Sequence, residues 1–244
     1  MSLDDKSSLA VTIHQPEFLP WLGFIDKIRQ CDIFVLLDSV QFEKNYFQNR
    51  NRIRTAWGAA WLTVPIFTKG FFGQTIREVR IQNGESWQKK HVQSLTQHYA
   101  SAPFFKEYFP GLRELYGQPW DNLAELNISI IRWMAGAFGL SRRFIRSSEL
   151  NVSGKRTELL LNICKAIGAT SYLSGISGRD YLDEPLFTGA GVAVKYQDFH
   201  HPVYPQRYEP FEPLMSGVDL LLNAGPESLR RLVQANETRE TLKS

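Results

Sequence analysis

At 244 residues, with 43% hydrophobic and 22% charged residues, the chain has ordinary globular composition and length enough for one sizeable α/β domain or two small lobes. A net charge of +3 is too small to point to duplex nucleic acid, so no nucleic-acid partner is expected, and it is compatible with a small anionic ligand such as a nucleotide sugar. Its two cysteines, Cys31 and Cys164, stand far apart in apolar helical patterns, which gives no support to a disulfide framework or thiolate metal site and predicts buried, reduced thiols.

No apolar run reaches the roughly 20 residues needed to span a bilayer. The opening MSLDDKSS lacks the apolar core of a signal peptide, so a cytoplasmic location and a flexible lead over residues 1–10 are expected.

Residues 11–42 carry the first group of candidate residues. Val11 and Ile13 open a strand that breaks into His14-Gln15-Pro16; Pro20, Trp21 and Gly23 follow, and Phe24, Ile25, Ile28 and Cys31 then recur at helical spacing. A second apolar run from Ile33 to Leu37 ends at Asp38. This order predicts a βαβ unit whose polar residues lie at the carboxyl ends of its strands, where open parallel sheets bind ligands. Next come a polar connection over 43–54, a strand over 61–66, a glycine-punctuated loop over 69–74 and a short strand over 76–81. Helical periodicity covers 87–116 with a break at Ala102-Pro103, and an amphipathic helix runs from Asn122 to Gly139. The carboxyl half returns to α/β: a strand over 144–150, a helix over 155–168, strands over 171–173 and 192–196 flanking a short helix over 183–188, and a last helix over 216–223. The predicted fold is α/β, a Rossmann-like parallel sheet with a mainly helical insertion at about 87–140. It forms a single domain over 11–232, before a polar tail over 233–244.

Several clusters in this frame carry chemistry. His14 and Gln15 lie where a strand gives way to a helix, so an imidazole and an amide face the helix amino terminus, which favours phosphate; the alternative is a histidine that only packs the turn. Asp38 and Gln41 follow the second strand and can position a hydroxyl, an amine or a metal ion, or simply begin a turn. Asn49, Arg50 and Asn51 offer a guanidinium fork and amides suited to phosphate or carboxylate, against the alternative of a solvated connection. Ser174, Gly175, Gly178, Arg179 and Asp180 form a glycine and hydroxyl loop after a strand, whose amides can cradle an oxyanion while Arg179 neutralises it; a plain βα turn reads equally well. Phe199, His201 and Tyr204 suit stacking against a sugar. His200 and His201 point opposite ways along an extended chain, and no metal site is expected.

The stretches IHQPEFLPWLGFIDKI, LLDSVQF, NRNRIRT, WLTVPI, YLSGISGRDYLDEPLF and YQDFHHPVYPQ together strongly resemble the WbqC-like family, from Val11 to about Glu227. Its members occur in bacterial surface-polysaccharide gene clusters. The resemblance implies an enzyme that forms an amide, by acyl or aminoacyl transfer, on a nucleotide-linked amino sugar. The order of strand, histidine loop, helix, strand ending in VQF and later SGISGRDYL is also similar to pantothenate synthetase and the nucleotidylyltransferase superfamily. That likeness implies ATP with Mg²⁺, its phosphates near His14 and the serine and arginine loop. In the amide-forming scheme His14 and Gln15 would contact the reacting phosphate, Arg50 and Arg179 would stabilise charge, and Asp38 or Gln41 would orient the attacking amine. The chain departs from the pattern in having no second histidine at HxGH spacing after His14 and no KMSKS-like lysine. Two other readings stand beside this one: a non-catalytic sugar-nucleotide binding protein, and a nucleotidylyltransferase. A homo-oligomer is compatible with all three.

Overall fold

The computed structural model describes residues 8–84 and 86–237. In chain order its elements are β1 (Ala10–His14), α1 (Leu22–Arg29), β2 (Ile33–Leu36), β3 (Arg50–Thr55), β4 (Gly58–Thr63), α2 (Trp87–Tyr99), α3 (Phe105–Gly117), α4 (Leu123–Ala137), β5 (Arg143–Arg146), α5 (Thr157–Ile167), β6 (Ser171–Ser174), α6 (Glu184–Gly189), β7 (Ala193–Tyr196), α7 (Gly217–Ala224) and α8 (Ser228–Glu237). Residues 1–7 and 238–244, which hold most of the expected lead and tail, lie outside the described residues, whereas 233–237 belong to α8. Among the described residues no helix is long and apolar enough to cross a membrane. A single domain is the simplest parse of the sequence, but the chain divides into two compact units.

The first unit comprises the described residues up to His14, together with Lys27–Leu37 and Arg142–Asp198. It is a five-stranded sheet in the order β5-β2-β1-β6-β7, parallel at every pairing. β2 and β6 are buried at every residue, as expected of central strands in a parallel sheet covered on both faces. The core is formed by Val11, Ile13, Ile33 and Val35 from the sheet with Leu160, Leu161, Ile163 and Cys164 of α5, closed by Tyr172 and Phe187 stacked 5.4 Å apart. α5 ends on Gly168 in the left-handed conformation at φ 76°, where the carbonyl of Cys164 accepts from the cap amide. Cys31 and Cys164 are buried free thiols, as the composition predicts, and burial pushes both up to about 12.

The second unit comprises Gln15–Asp26, Asp38–Ser141 and the described residues from Phe199 onward. Asp38–Ser141 is the connection between β2 and β5, and it holds the helical region expected at 87–140. The Ala102-Pro103 break separates α2 from α3, and Asn122 caps α4 by accepting from the Glu125 amide at 3.1 Å. Two differences from the expected elements are informative. The polar stretch at 50–55 is strand β3, antiparallel to β4 with Arg50 opposite Thr63 and Arg52 opposite Trp61. The stretch at 76–81 is a single 3₁₀ turn, Ile76–Glu78, with only isolated bridges at Arg80 and Ile81.

His91 of α2 is enclosed by Phe18, Trp87 and Tyr116, and its Nε2 faces the Thr63 carbonyl at 3.1 Å, so that nitrogen carries the proton. Burial lowers its pKa from 6.5 to about 4. The unfolded chain then binds more protons than the folded one between those values. Stability is full above pH 6.5 and is lost as pH falls toward 4. We expect His91 to contribute a loss of about 2–3 kcal/mol between pH 7.5 and 4.5, read in urea titrations as the difference from His91→Gln, at about 1.4 kcal/mol per unit. The corresponding slope should be absent from His91→Gln; an identical slope in the variant would move the effect elsewhere.

Candidate functional site

Within the first unit the strands taken in chain order are β1, β2, β5, β6 and β7, so the spatial order β5-β2-β1-β6-β7 reads third, second, first, fourth, fifth. The order reverses between β1 and β6. In open α/β sheets ligands bind outside the carboxyl ends of the strands at this reversal. The pairing of β1 with β6 sets Thr12 opposite Leu173, and the Thr12 hydroxyl donates to the Leu173 carbonyl at 2.7 Å. Two residues further along each strand the chain reaches His14 on one side and Gly175 on the other. β2 ends beside β1, with the Leu37 amide donating to the His14 carbonyl at 2.8 Å. His14, predicted as a site residue, is thus half-buried at the reversal, and Ser174 and Gly175 lie there too, at the end of β6.

The loop after β6 is shaped by two glycines. A Cβ on Gly178 would fall 2.1 Å from the Ser174 hydroxyl oxygen, so only glycine lets the 3₁₀ turn Ile176–Asp180 fold back onto the strand end. A Cβ on Gly175 would fall 3.1 Å from Nζ of Lys27. Lys27 lies on α1 and is only 7% exposed. Its ammonium is held at the mouth of the switch point, beside a backbone that carries no side chain. Sequence reasoning missed Lys27. The available signal was its place in LGFIDKI, where Leu22 to Ile28 are all buried, so that Asp26 and Lys27 are charges inside a covered helix.

Arg179 is exposed and lies 4.4 Å over the ring of Tyr196, whose hydroxyl donates to Glu184 at 2.7 Å. Its guanidinium thus stands at the end of β7, and Asp180 beside it is exposed.

The other predicted residues belong to the second unit. Gln15 accepts from Gln48 at 2.7 Å, and Asn127 donates to the carbonyls of Pro16 and Gln48 at 3.2 and 2.7 Å. Asn51 donates to the carbonyls of Phe18 and Leu19 at 3.2 and 2.8 Å, and Asn49 donates to Val64 at 3.0 Å. These amides hold the Gln15–Pro20 segment in one shape. The side-chain amide of Asn51 is spent on these carbonyls, leaving no donor for an anion, and Asn51 is a scaffold residue. Asp38 is fully buried, with its carbonyl accepting from the Arg77 amide at 3.0 Å, and Gln41 is exposed in an isolated bridge with Thr75. Arg50 is half-buried with its guanidinium 4.4 Å over the Trp61 ring.

The aromatic segment differs from the sugar-stacking expectation. Tyr204 is 3% exposed and donates its hydroxyl to Asp219 at 2.8 Å, so neither ring face is open to a ligand. His201 accepts from the Leu214 amide at Nε2 and faces the Pro202 carbonyl at Nδ1, which fixes a neutral tautomer protonated at Nδ1; burial lowers its pKa. Phe199 packs edge-on against Trp21, with ring centroids 5.1 Å apart. Among the described residues no group of three or more His, Cys, Asp or Glu side chains is placed to hold a metal ion.

Comparison with known proteins agrees with the resemblance in the sequence. Residues 15–231 match the WbqC-like protein family. The uncharacterized protein Rv1507c of Mycobacterium tuberculosis is 37% identical over 220 residues, covering 89% of this chain and 95% of that one. No solved structure matches.

Proposed function

Because the chain belongs to the WbqC-like protein family, we propose that it is an enzyme of bacterial surface-polysaccharide biosynthesis that binds a nucleotide at the switch point of its parallel sheet and forms an amide on a nucleotide-linked amino sugar. The observation that carries this reading is the buried Lys27 ammonium set against Gly175 where β1 and β6 diverge. A buried cation beside bare backbone at a switch point suits a phosphate: the lysine supplies charge and the glycine admits a close approach. It also provides, from α1, the cation that the absent KMSKS-like lysine would have supplied.

The donor set fits ATP with Mg²⁺. Lys27, His14 and the loop from Ser174 to Arg179 would hold the phosphates, and no carboxylate cluster is needed because the metal travels on the nucleotide. ATP would supply the activation of a small carboxylic acid. The chain's own residues then act by position and charge: Lys27 and Arg179 neutralise phosphate oxygens, and His14 faces the reacting group from the end of β1. Gln15, Asp38 and Gln41 lie in the second unit, and this reading gives them no part in holding the nucleotide.

The test incubates the protein with ATP, Mg²⁺, glycine and a dTDP- or UDP-linked amino sugar, with mass spectrometry to detect the amide. His14→Ala should abolish product while the melting temperature holds. A fully active His14→Ala would sink the role given to it. The same strand order also suits nucleotidyl transfer onto a sugar phosphate. Pyrophosphate release in the absence of any amine would favour that second reading.

A further inference from the structure

The outer face of the β3–β4 hairpin, in the second unit, has a construction that the nucleotide site does not explain. Arg50, Arg52 and Arg54 alternate along β3 and so share a face, neighbours being roughly 7 Å apart. Their surroundings differ. Arg54 is 3% exposed, donates to the carbonyls of Thr55, Tyr208 and Pro210, and is paired with Glu212 at 3.6 Å. Arg50 and Arg52 are half-buried, and among the described residues neither has a carboxylate within salt-bridge distance. Both lie against the same indole instead: Trp61 is 4.4 Å from the Arg50 guanidinium and 5.7 Å from that of Arg52. One Nη2 donates to the Asn45 carbonyl and the other to the Leu214 carbonyl at 3.0 Å, so both guanidinium planes are fixed. In each arginine Nε is walled off from water with no acceptor.

Like charges held side by side without a counter-ion are unfavourable, and cation–π contacts offset only about 0.5–1 kcal/mol at a partly exposed site. A fixed pair of guanidiniums with no carboxylate of the described residues within salt-bridge distance is an arrangement a multiply charged oxyanion completes, although Glu17 and Glu43 act on Tyr46 in the same row. The aromatic row beside it adds a second element of recognition. Trp61 is 46% exposed and Tyr46 50% exposed, with Phe47 between them at 6.1 and 5.3 Å from their ring centroids. Exposed indole and phenol rings next to a phosphate clamp match the apolar face of a pyranose.

We propose that Arg50, Arg52 and Trp61 form a second binding site, for a soluble sugar carrying a phosphomonoester or diphosphate. The phosphate lies on the two guanidiniums and the sugar ring on the exposed aromatic row. This site stands on observations within the second unit and does not depend on the nucleotide reading.

The experiment uses full-length protein carrying Lys27→Met, so that a phosphate at the switch point does not confuse the result. Glucose 1-phosphate and inorganic pyrophosphate are titrated by calorimetry. Both should bind, more weakly as salt rises. Adding Arg50→Gln and Arg52→Gln should weaken both at least tenfold with little change in melting temperature. Trp61→Ala should weaken glucose 1-phosphate more than pyrophosphate. The single variant Arg52→Gln, which keeps the Arg50 stack, should show an intermediate loss and serves if the double variant does not fold. Unchanged affinity in the arginine variants overturns the proposal, as does failure of both probes to bind. Binding only to phosphatidylglycerol vesicles, with none to glucose 1-phosphate, overturns it too.

Discussion

Asp219→Ala is expected to destabilise the protein by about 3–6 kcal/mol, enough to unfold much of it at room temperature if its total stability lies in the usual range of roughly 5–15 kcal/mol. Asp219 is fully buried in the first turn of α7. Its Oδ1 accepts from the Tyr99 hydroxyl at 2.7 Å, and its Oδ2 accepts from the Tyr204 hydroxyl and the Gln206 amide, both at 2.8 Å. The network extends further. The Tyr99 hydroxyl accepts from the Arg54 amide at 2.8 Å, and Gln206 exchanges hydrogen bonds with the Glu212 backbone at 2.8 and 2.9 Å. One carboxylate thus ties together α2, β3, the extended segment around Tyr204 and α7. Alanine removes the acceptor and leaves three buried donors facing a void, each costing about 1–3 kcal/mol if no water enters. The milder substitution Asp219→Asn keeps one acceptor oxygen and should lose less.

The same residue gives a pH signature with a definite sign. Burial raises its pKa, while the Tyr99, Tyr204 and Gln206 hydrogen bonds and the nearby Arg54 charge pull it back; the net direction is upward. The folded state therefore holds this proton to higher pH than the unfolded state. Its ionisation takes away stability as pH rises from the usual carboxylate value toward the raised one, opposite in sense to His91. Equilibrium urea unfolding at several pH values checks both effects. A stability for Asp219→Ala within about 0.5 kcal/mol of wild type, the range of an ordinary surface change, would show that the network is not holding the unit together.

The parts of the molecule legible in the sequence are those where burial and residue type agree. Val11 with Ile13, and Ile33 to Leu36, are apolar runs too short for helices, and they are central strands. Gly168 and Asn122 mark helix ends by chemistry that acts locally. Illegible elements were those in which charge is arranged against expectation. In RNRIRT the arginines hide a period of two, because Asn51 and Ile53 point inward and are fully buried while Arg50 and Arg52 lie on the other face. α8 has so few apolar residues, with Leu232 fully buried among them, that it reads as part of a polar tail. The site divides in the same way. His14 and Ser174-Gly175 could be placed because a βαβ pattern fixes which strand ends carry them. Tyr204 could not be told from a ligand-facing ring, since its partner Asp219 is 15 residues away and tertiary structure alone brings them together. Charges inside apolar helices, Asp26 and Lys27 in LGFIDKI and Asp219 in GVDLLL, were the signals available, and Lys27 and Asp219 occupy positions of consequence.

Under the proposed function, Lys27→Met is expected to weaken ATP binding about 100-fold and to lower amide formation by about 10²–10³, the scale of losing a preorganised charge at a reacting phosphate. Methionine has similar length and suits a buried position, so the substitution removes charge more than volume. Lys27 has an interaction partner in the folded protein, and some loss of stability is expected when that partner is left alone. Two further variants separate this structural effect from the functional one. Lys27→Arg keeps the positive charge, yet its planar fork does not fit where a compact ammonium sits against Gly175; affinity should fall less than in Lys27→Met. Gly175→Ala leaves the lysine in place but sets a methyl group 3.1 Å from its Nζ, so the flexible end must shift by a few tenths of an ångström. That change should cost little in melting temperature while lowering nucleotide affinity about five- to tenfold, because the methyl group displaces the ammonium and closes the bare backbone to phosphate at once. If Lys27 only fills a buried ion pair, the pattern reverses: Lys27→Met lowers the melting temperature, Gly175→Ala is silent, and ATP affinity stays unchanged in both. Calorimetric titration with ATP and Mg²⁺, run beside thermal unfolding without nucleotide, distinguishes the two patterns.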